Sequence, residues 1–203
     1  MREEILGVLC SGRGTNLQSI IAAVESGQIR AKIGLVLTDK PEAKALERAE
    51  KAGIPHVCVN RKACADKQEF EENLVAELQK AGVTLVILAG FMRILSPYFV
   101  RSFKNRIMNI HPSLLPSFGG AHAHRDVLAY GVKVSGCTIH FVDEGMDSGP
   151  IILQDIVPVL DDDTEDTLAA RVLVKEHILY PKAIELYING RLEMDGRHVK
   201  LKQ

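Results

Sequence analysis

No charge of one sign dominates this sequence: 25 Lys and Arg stand against 26 Asp and Glu in 203 residues. That balance removes any global electrostatic pull towards nucleic acid. Like charges never run longer than Asp161-Asp162-Asp163, which precedes Thr164 and a helical pattern and so reads as a loop and helix start. Long apolar runs are missing too. The run Ile5 to Cys10 follows Met1-Arg2-Glu3-Glu4 directly and is too short for a secretory signal or a bilayer span. A cytoplasmic protein without a membrane partner is expected. Cysteine is scarce, with four in all and no C-x-x-C pair, so reduced thiols are expected of Cys10, Cys58, Cys64 and Cys137. Internal repeats and low-complexity linkers are absent as well. The length suits one domain over residues 1–203, which would bury roughly 70% of the surface its unfolded chain exposes.

What is present is an alternation of short apolar runs and amphipathic stretches. Ile5–Cys10, Ile33–Thr38, His56–Val59, Leu85–Ala89 and Ile107–His111 read as strands, mostly apolar throughout, as parallel strands covered on both faces should be. Leu17, Ile20, Ile21 and Val24 follow helical spacing, as do Phe70, Leu74 and Leu78. After Pro112 the rhythm changes. Val134–Val142 and Pro150–Leu160 are two β-prone stretches joined by a seven-residue loop, which suits an antiparallel hairpin. A helical pattern then runs from Thr164 to about Ile188, with Pro181 inside it expected to kink or divide it. The fold class expected is α/β: a Rossmann-like open sheet, mostly parallel, with an antiparallel hairpin in the C-terminal half and helices on both faces. Ligands of such sheets collect at the carboxyl ends of strands, where Ser11–Asn16, Gly90–Leu95 and the segment from Asn109 fall.

Ser11-Gly12-Arg13-Gly14-Thr15-Asn16 lies between the first strand and the first helix, where glycines and a helix N-terminus favour an anion. A dinucleotide fingerprint would want glycine at Leu17, although Asp39 could imitate its acidic ribose ligand. A terminal monophosphate fits better, and a purely structural turn is the plain alternative. Asn109 and His111 alternate along one strand and share a face, which suggests an oxyanion donor and a titrating imidazole. The plain alternative is two polar groups bonded to nearby backbone. Asp143 to Pro150 reads as solvated turn residues, or as carboxylates that orient an imidazole such as His140. A triad of Ser113, His111 and Asp147 lacks the Gly-x-Ser-x-Gly elbow. His122, His124, His111 and His140 match no zinc spacing, and no metal is expected. Glu176 falls within the stripe Leu168, Val172, Leu179, Ala183 and Leu186, where a place at the stripe's edge is the simpler reading.

Four segments together, Ser-Gly-Arg-Gly-Thr-Asn-Leu-Gln at 11–18, Ala-Gly-Phe-Met-Arg-Ile-Leu at 89–95, Asn-Ile-His-Pro-Ser-Leu-Leu-Pro at 109–116 and Asp-Ser-Gly-Pro-Ile-Ile at 147–152, resemble the phosphoribosylglycinamide formyltransferases, a branch of the folate-dependent formyltransferase superfamily. The likeness runs in order from about Ile5 to Ile188. It implies a formyltransferase fold and a catalytic trio of Asn109, His111 and Asp147. It implies further that Gly14, Thr15, Asn16 and Glu176 bind a phosphoribosylglycinamide, while Lys67, Met92, Arg93, Ile94, Leu95, Asn109 and Asp143 contact the folate. The family often has Arg where Lys67 stands, and Lys lacks the planar fork that pairs a carboxylate bidentately.

On this resemblance the chain is expected to move the formyl group of 10-formyltetrahydrofolate, a cosubstrate, onto the amine of glycinamide ribonucleotide. Attack would be direct, with Asn109 and protonated His111 on the oxyanion and Asp147 supporting the imidazolium. Partners would be these two small molecules, with no nucleic acid, in a monomer or homodimer. A formyltetrahydrofolate hydrolase is the nearest rival, although it carries an N-terminal regulatory domain for which there is no room before Ile5. A tRNA formyltransferase would want an RNA-binding C-terminal domain. A non-catalytic nucleotide-binding module would leave the other motifs unused.

Overall fold

The computed structural model describes residues 4–202. The chain divides into two compact units, one ending at Met108 and the other beginning at Asn109.

In the first unit every strand is followed by a helix or a short 3-10 turn, as a parallel sheet demands. Its elements are β1 (Ile5–Cys10), α1 (Thr15–Glu25), β2 (Lys32–Thr38), α2 (Lys44–Lys51), β3 (His56–Cys58), α3 (Lys67–Lys80), β4 (Leu85–Leu88) and α4 (Pro97–Ser102). The strands lie in the order β3-β2-β1-β4 and pair in parallel. Leu6, Val8, Leu9, Val86 and Ile87 have no exposed surface, so the continuous apolar runs seen in the sequence are strands covered on both faces. Phe70, Leu74 and Leu78 form the buried stripe of α3, and Leu17, Ile20 and Ile21 that of α1.

Strand β5 (Ile107–His111) runs across the division between the units. The second unit continues with α5 (Ala123–Tyr130), β6 (Val134–Phe141), β7 (Ile151–Pro158), α6 (Glu165–Ile188), β8 (Leu192–Asp195) and β9 (His198–Leu201), its strands in the order β5-β6-β7-β9-β8. The expected hairpin is β6–β7, antiparallel from Val134 opposite Pro158 to His140 opposite Ile151. Its register shifts between Ile139 and His140, an irregularity of the kind that re-aims a side chain. The hairpin β8–β9 was not foreseen: Asp195-Gly196 is its only turn signal, and its strands carry alternating charge.

Pro181 does not divide the last helix. Helix α6 is continuous over 24 residues and begins with a reciprocal capping box between Thr164 and Thr167. Pro181 is buried there with Leu179, Tyr180 and Ala183, so packing outweighs the lost hydrogen bond.

Candidate active site

Each unit carries part of the chemistry that the sequence suggested. In the first, Gly14 is the N-cap of α1 at φ 67, a left-handed conformation that favours glycine. A Cβ there would also lie 2.9 Å from the Ala45 Cα, so α2 packs directly on the turn. The loop is pinned further by the Ala45 N–H on the Gly12 carbonyl at 3.2 Å and the Arg48 Nε–H on the Arg13 carbonyl at 2.8 Å. No side chain caps α1 and no acid occupies its first turn. A helix N-terminus without an acidic side chain in its first turn favours an anion. Asn16 is buried in that turn.

The segment Met92–Leu95 is irregular, and Met92, Arg93 and Ile94 are all exposed. Met92 is 74% and Ile94 67% exposed, while Arg93 turns back to donate from Nε to the Asp39 carboxylate at 2.6 Å. Asp39 is buried, with its Oδ2 engaged by that guanidinium. The Met92 N–H donates to Ser11 Oγ at 2.9 Å, tying this segment to the glycine loop within the unit. Lys67 opens α3 with its ammonium 3.7 Å from Glu71. Glu71 is buried and accepts from both the backbone N–H and the hydroxyl of Ser96, next to Leu95. Lys67, Gln68, Glu71, Ser96 and Tyr98 line a cavity of about 410 Å³.

The second unit brings the trio together. Asn109 and His111 alternate along β5, and Asp147 reaches His111 from the β6–β7 loop, while Asn109 joins the cluster through His140. His111 Nδ1 lies 3.4 Å from Asp147 Oδ2, and His111 Nε2 lies 3.0 Å from the Phe118 carbonyl. Both ring nitrogens of His111 therefore face oxygens. Asp147 Oδ2 also accepts the Gly120 N–H at 2.8 Å. Asp147 itself sits at φ 51, a left-handed position that Asp tolerates better than most residues. Asp143, expected to line the folate, accepts the Ser148 hydroxyl at 2.6 Å and the Gly145 N–H at 3.1 Å, so it shapes the same loop. Ser113 has no exposed surface and its hydroxyl donates to the Ser117 carbonyl, which removes it as a nucleophile.

His140 belongs to this cluster, with Nε2 at 3.2 Å from Asn109 Nδ2 and 4.0 Å from Asp147 Oδ1. Its sequence position on a strand before an acidic loop suggested orientation by carboxylates, but gave no sign of the bond to Asn109. Burial pushes the His140 pKa below the usual imidazole value, against the opposing pull of the Phe141 carbonyl and Asp147. His124, at the start of α5, is also held low by burial. Among the described residues these histidines form no group that could hold a metal ion.

Glu176 is 7% exposed, so the edge-of-stripe reading fails and the carboxylate lies inside the unit. Its charge acts on Cys137, whose thiol is pushed up to about 12 by burial first and by Glu176 next.

The sequence profile described as formyl transferase matches residues 5–184. The chain is 46% identical over 191 residues to the trifunctional purine biosynthetic protein adenosine-3 of Drosophila melanogaster, covering 93% of this chain but spanning only 14% of that relative's length. It is 43% identical to the phosphoribosylglycinamide formyltransferase of Escherichia coli (strain K12), covering 92% of this chain and 88% of that protein. The crystal structure of glycinamide ribonucleotide transformylase 1 from Symbiobacterium toebii matches with a TM-score of 0.97 at 46% identity, over 99% of this chain and 95% of that one. No helix among the described residues is long and apolar enough to cross a membrane. With a profile match over most of its length and a relative matched nearly end to end, this chain belongs to the formyl transferase family, in its phosphoribosylglycinamide formyltransferase branch.

Proposed function

We propose that this chain transfers the formyl group of 10-formyltetrahydrofolate to the amine of glycinamide ribonucleotide, as a single cytoplasmic formyltransferase domain over residues 1–203. The amine nitrogen bonds to the formyl carbon and the carbon–N10 bond of the folate breaks. One proton leaves the amine and one reaches N10. The observation that carries this reading is the Asn109–His111–Asp147 cluster, two nitrogen donors and one carboxylate within one unit.

Asn109 has two amide hydrogens and spends one on His140, leaving the other for a developing oxyanion. His111 Nε2–H is held by the Phe118 carbonyl, an oxygen in the place that an oxyanion would take on that ring. Asp147 steadies the imidazolium through Nδ1. An oxyanion donor contributes on the order of 3 kcal/mol to such a transition state. The glycine turn with Gly14, Thr15 and Asn16 would hold the substrate phosphate, and Glu176 its polar portion. Lys67, Met92, Arg93, Ile94, Leu95 and Asp143 would take the folate, with Lys67 on its carboxylates as a point charge. No metal enters this chemistry and no nucleic acid is a partner. Either a monomer or a homodimer serves the reaction.

A formyl-transfer assay on the purified chain tests this reading. Loss of formyl from 10-formyltetrahydrofolate should require glycinamide ribonucleotide and yield one formylated amine per folate released. Release of formate at the same rate without the amine would make the chain a hydrolase.

A further inference from the structure

The hairpin β8–β9 lies outside the residues matched to the family, yet it touches the loop that carries Asp147. Two residues, Gly196 and Arg197, connect its strands, with Asp195 paired to His198. Gly196 has φ 59, as the first central position of a II′ turn requires. The open end of the hairpin is closed by the Lys202 N–H on the Arg191 carbonyl and by the Arg191 guanidinium on the Lys202 carbonyl. Lys200 pairs with Asp195 at 2.6 Å near the turn. Strand β9 is seated against β7 where His198 meets Ile151, two residues after the loop ends. That seat places the turn beside the loop, and Arg197 Nη1 donates to the Ser148 carbonyl at 2.6 Å.

The Ser148 carbonyl belongs to the residue immediately after Asp147, which holds a left-handed backbone at φ 51. A residue in that region persists only where its surroundings over-determine it. On the loop side the surroundings are Asp143, bonded to Ser148 Oγ and the Gly145 N–H. The Gly120 N–H and His111 hold the Asp147 carboxylate, and from the hairpin the guanidinium of Arg197 holds the main chain at the next residue. A cationic donor to a carbonyl is among the stronger hydrogen bonds. Its loss would free the Ser148–Gly149 peptide to rotate and carry the Asp147 carboxylate away from His111 Nδ1 and the Gly120 N–H.

We propose that Arg197 is a positioning residue for Asp147: the C-terminal hairpin braces the catalytic loop through the Ser148 carbonyl. The proposal rests on the formyl-transfer reading for its kinetic consequence, but its structural consequence can be read separately. Arg197 is exposed at a turn, so Arg197→Ala should fold with an unchanged thermal midpoint. In that variant kcat should fall about tenfold while both KM values stay within about twofold, because a displaced catalytic carboxylate costs rate more than binding. Exchange of the Gly120 amide hydrogen, whose acceptor is Asp147, should accelerate. Arg197→Lys should recover most of the loss, since a single donor is used. Wild-type kcat in Arg197→Ala, with unaltered Gly120 exchange, would overturn the proposal, as would a Lys variant no better than Ala. Should the wild-type chain show no formyl transfer at all, the functional reading falls, and Gly120 exchange in the two variants still decides the brace.

Discussion

Asn109 Nδ2 lies 3.2 Å from His140 Nε2, while His140 Nδ1 lies 2.9 Å from the Phe141 carbonyl. The carbonyl can only accept, so Nδ1 carries the hydrogen and a neutral ring presents a lone pair at Nε2. That lone pair fixes which end of the Asn109 carboxamide faces it. The amide of Asn109 is therefore oriented by the tautomer of His140, and burial keeps that ring neutral.

His140→Ala should lower kcat by about tenfold with little change in either KM, because it frees the Asn109 carboxamide without touching a ligand. His140→Gln should retain more activity, since its carbonyl can accept from Asn109. A larger loss in KM than in kcat would contradict an orienting role.

The same burial has a consequence for stability. The folded-state pKa of His140 is lowered, so between that value and the unfolded value of about 6.5 the unfolded chain binds a proton that the folded chain refuses. Its contribution is fully present above about pH 6.5 and is lost as pH falls towards the folded value. Urea unfolding at pH steps from about 5 to about 7.5 should show wild type losing stability in acid more steeply than His140→Gln. His124 acts with the same sign in both proteins, so the difference isolates His140. Parallel curves would contradict the neutral buried ring.

The glycine turn offers a clean substitution. A Cβ at Gly12 meets nothing within 4 Å, whereas one at Gly14 runs into α2. Gly12→Ala should therefore leave the thermal midpoint within about a degree or raise it slightly, by restricting the unfolded chain. If the loop takes the substrate phosphate, the added methyl should raise KM for glycinamide ribonucleotide severalfold and leave that for the folate unchanged. Equal effects on the two KM values would contradict this division.

Glu176→Gln keeps the shape of a buried side chain and removes its charge. Binding of glycinamide ribonucleotide, measured by calorimetry, should weaken by about tenfold, the scale of one charge-assisted hydrogen bond. The Cys137 thiol should also become easier to ionise, since the Glu176 carboxylate helps to hold it up. Unchanged binding would make Glu176 a structural carboxylate.

Strands β1 and β5 and the start of α6 are legible in the sequence because each combines an uninterrupted apolar run or stripe with a clear boundary, such as Ser11-Gly12 or Thr164. The period of two along β5 likewise shows that Asn109 and His111 share a face. Asp147 was reached through resemblance, since nothing in an acidic, glycine-punctuated loop distinguishes one carboxylate from its neighbours. The bond between His140 and Asn109 joins residues 31 positions apart at a register shift, which a local pattern does not encode. Glu176 was misjudged for a related reason: a single carboxylate in a stripe is resolved only by what packs against it. Hairpin β8–β9 was missed because its short strands carry charges and alternate only weakly.

A double-mutant cycle on His111 and Asp147 tests most directly the claim that the trio works as one unit, with kcat measured for wild type, His111→Ala, Asp147→Asn and the pair. The two residues share a 3.4 Å contact, so each single change removes much of what the other contributes. Each substitution should lower kcat by about a hundredfold or more, and the double variant should be little slower than the worse single one. Rate losses that multiply in the double variant would mean that Asp147 and His111 act separately, and would contradict the mechanism.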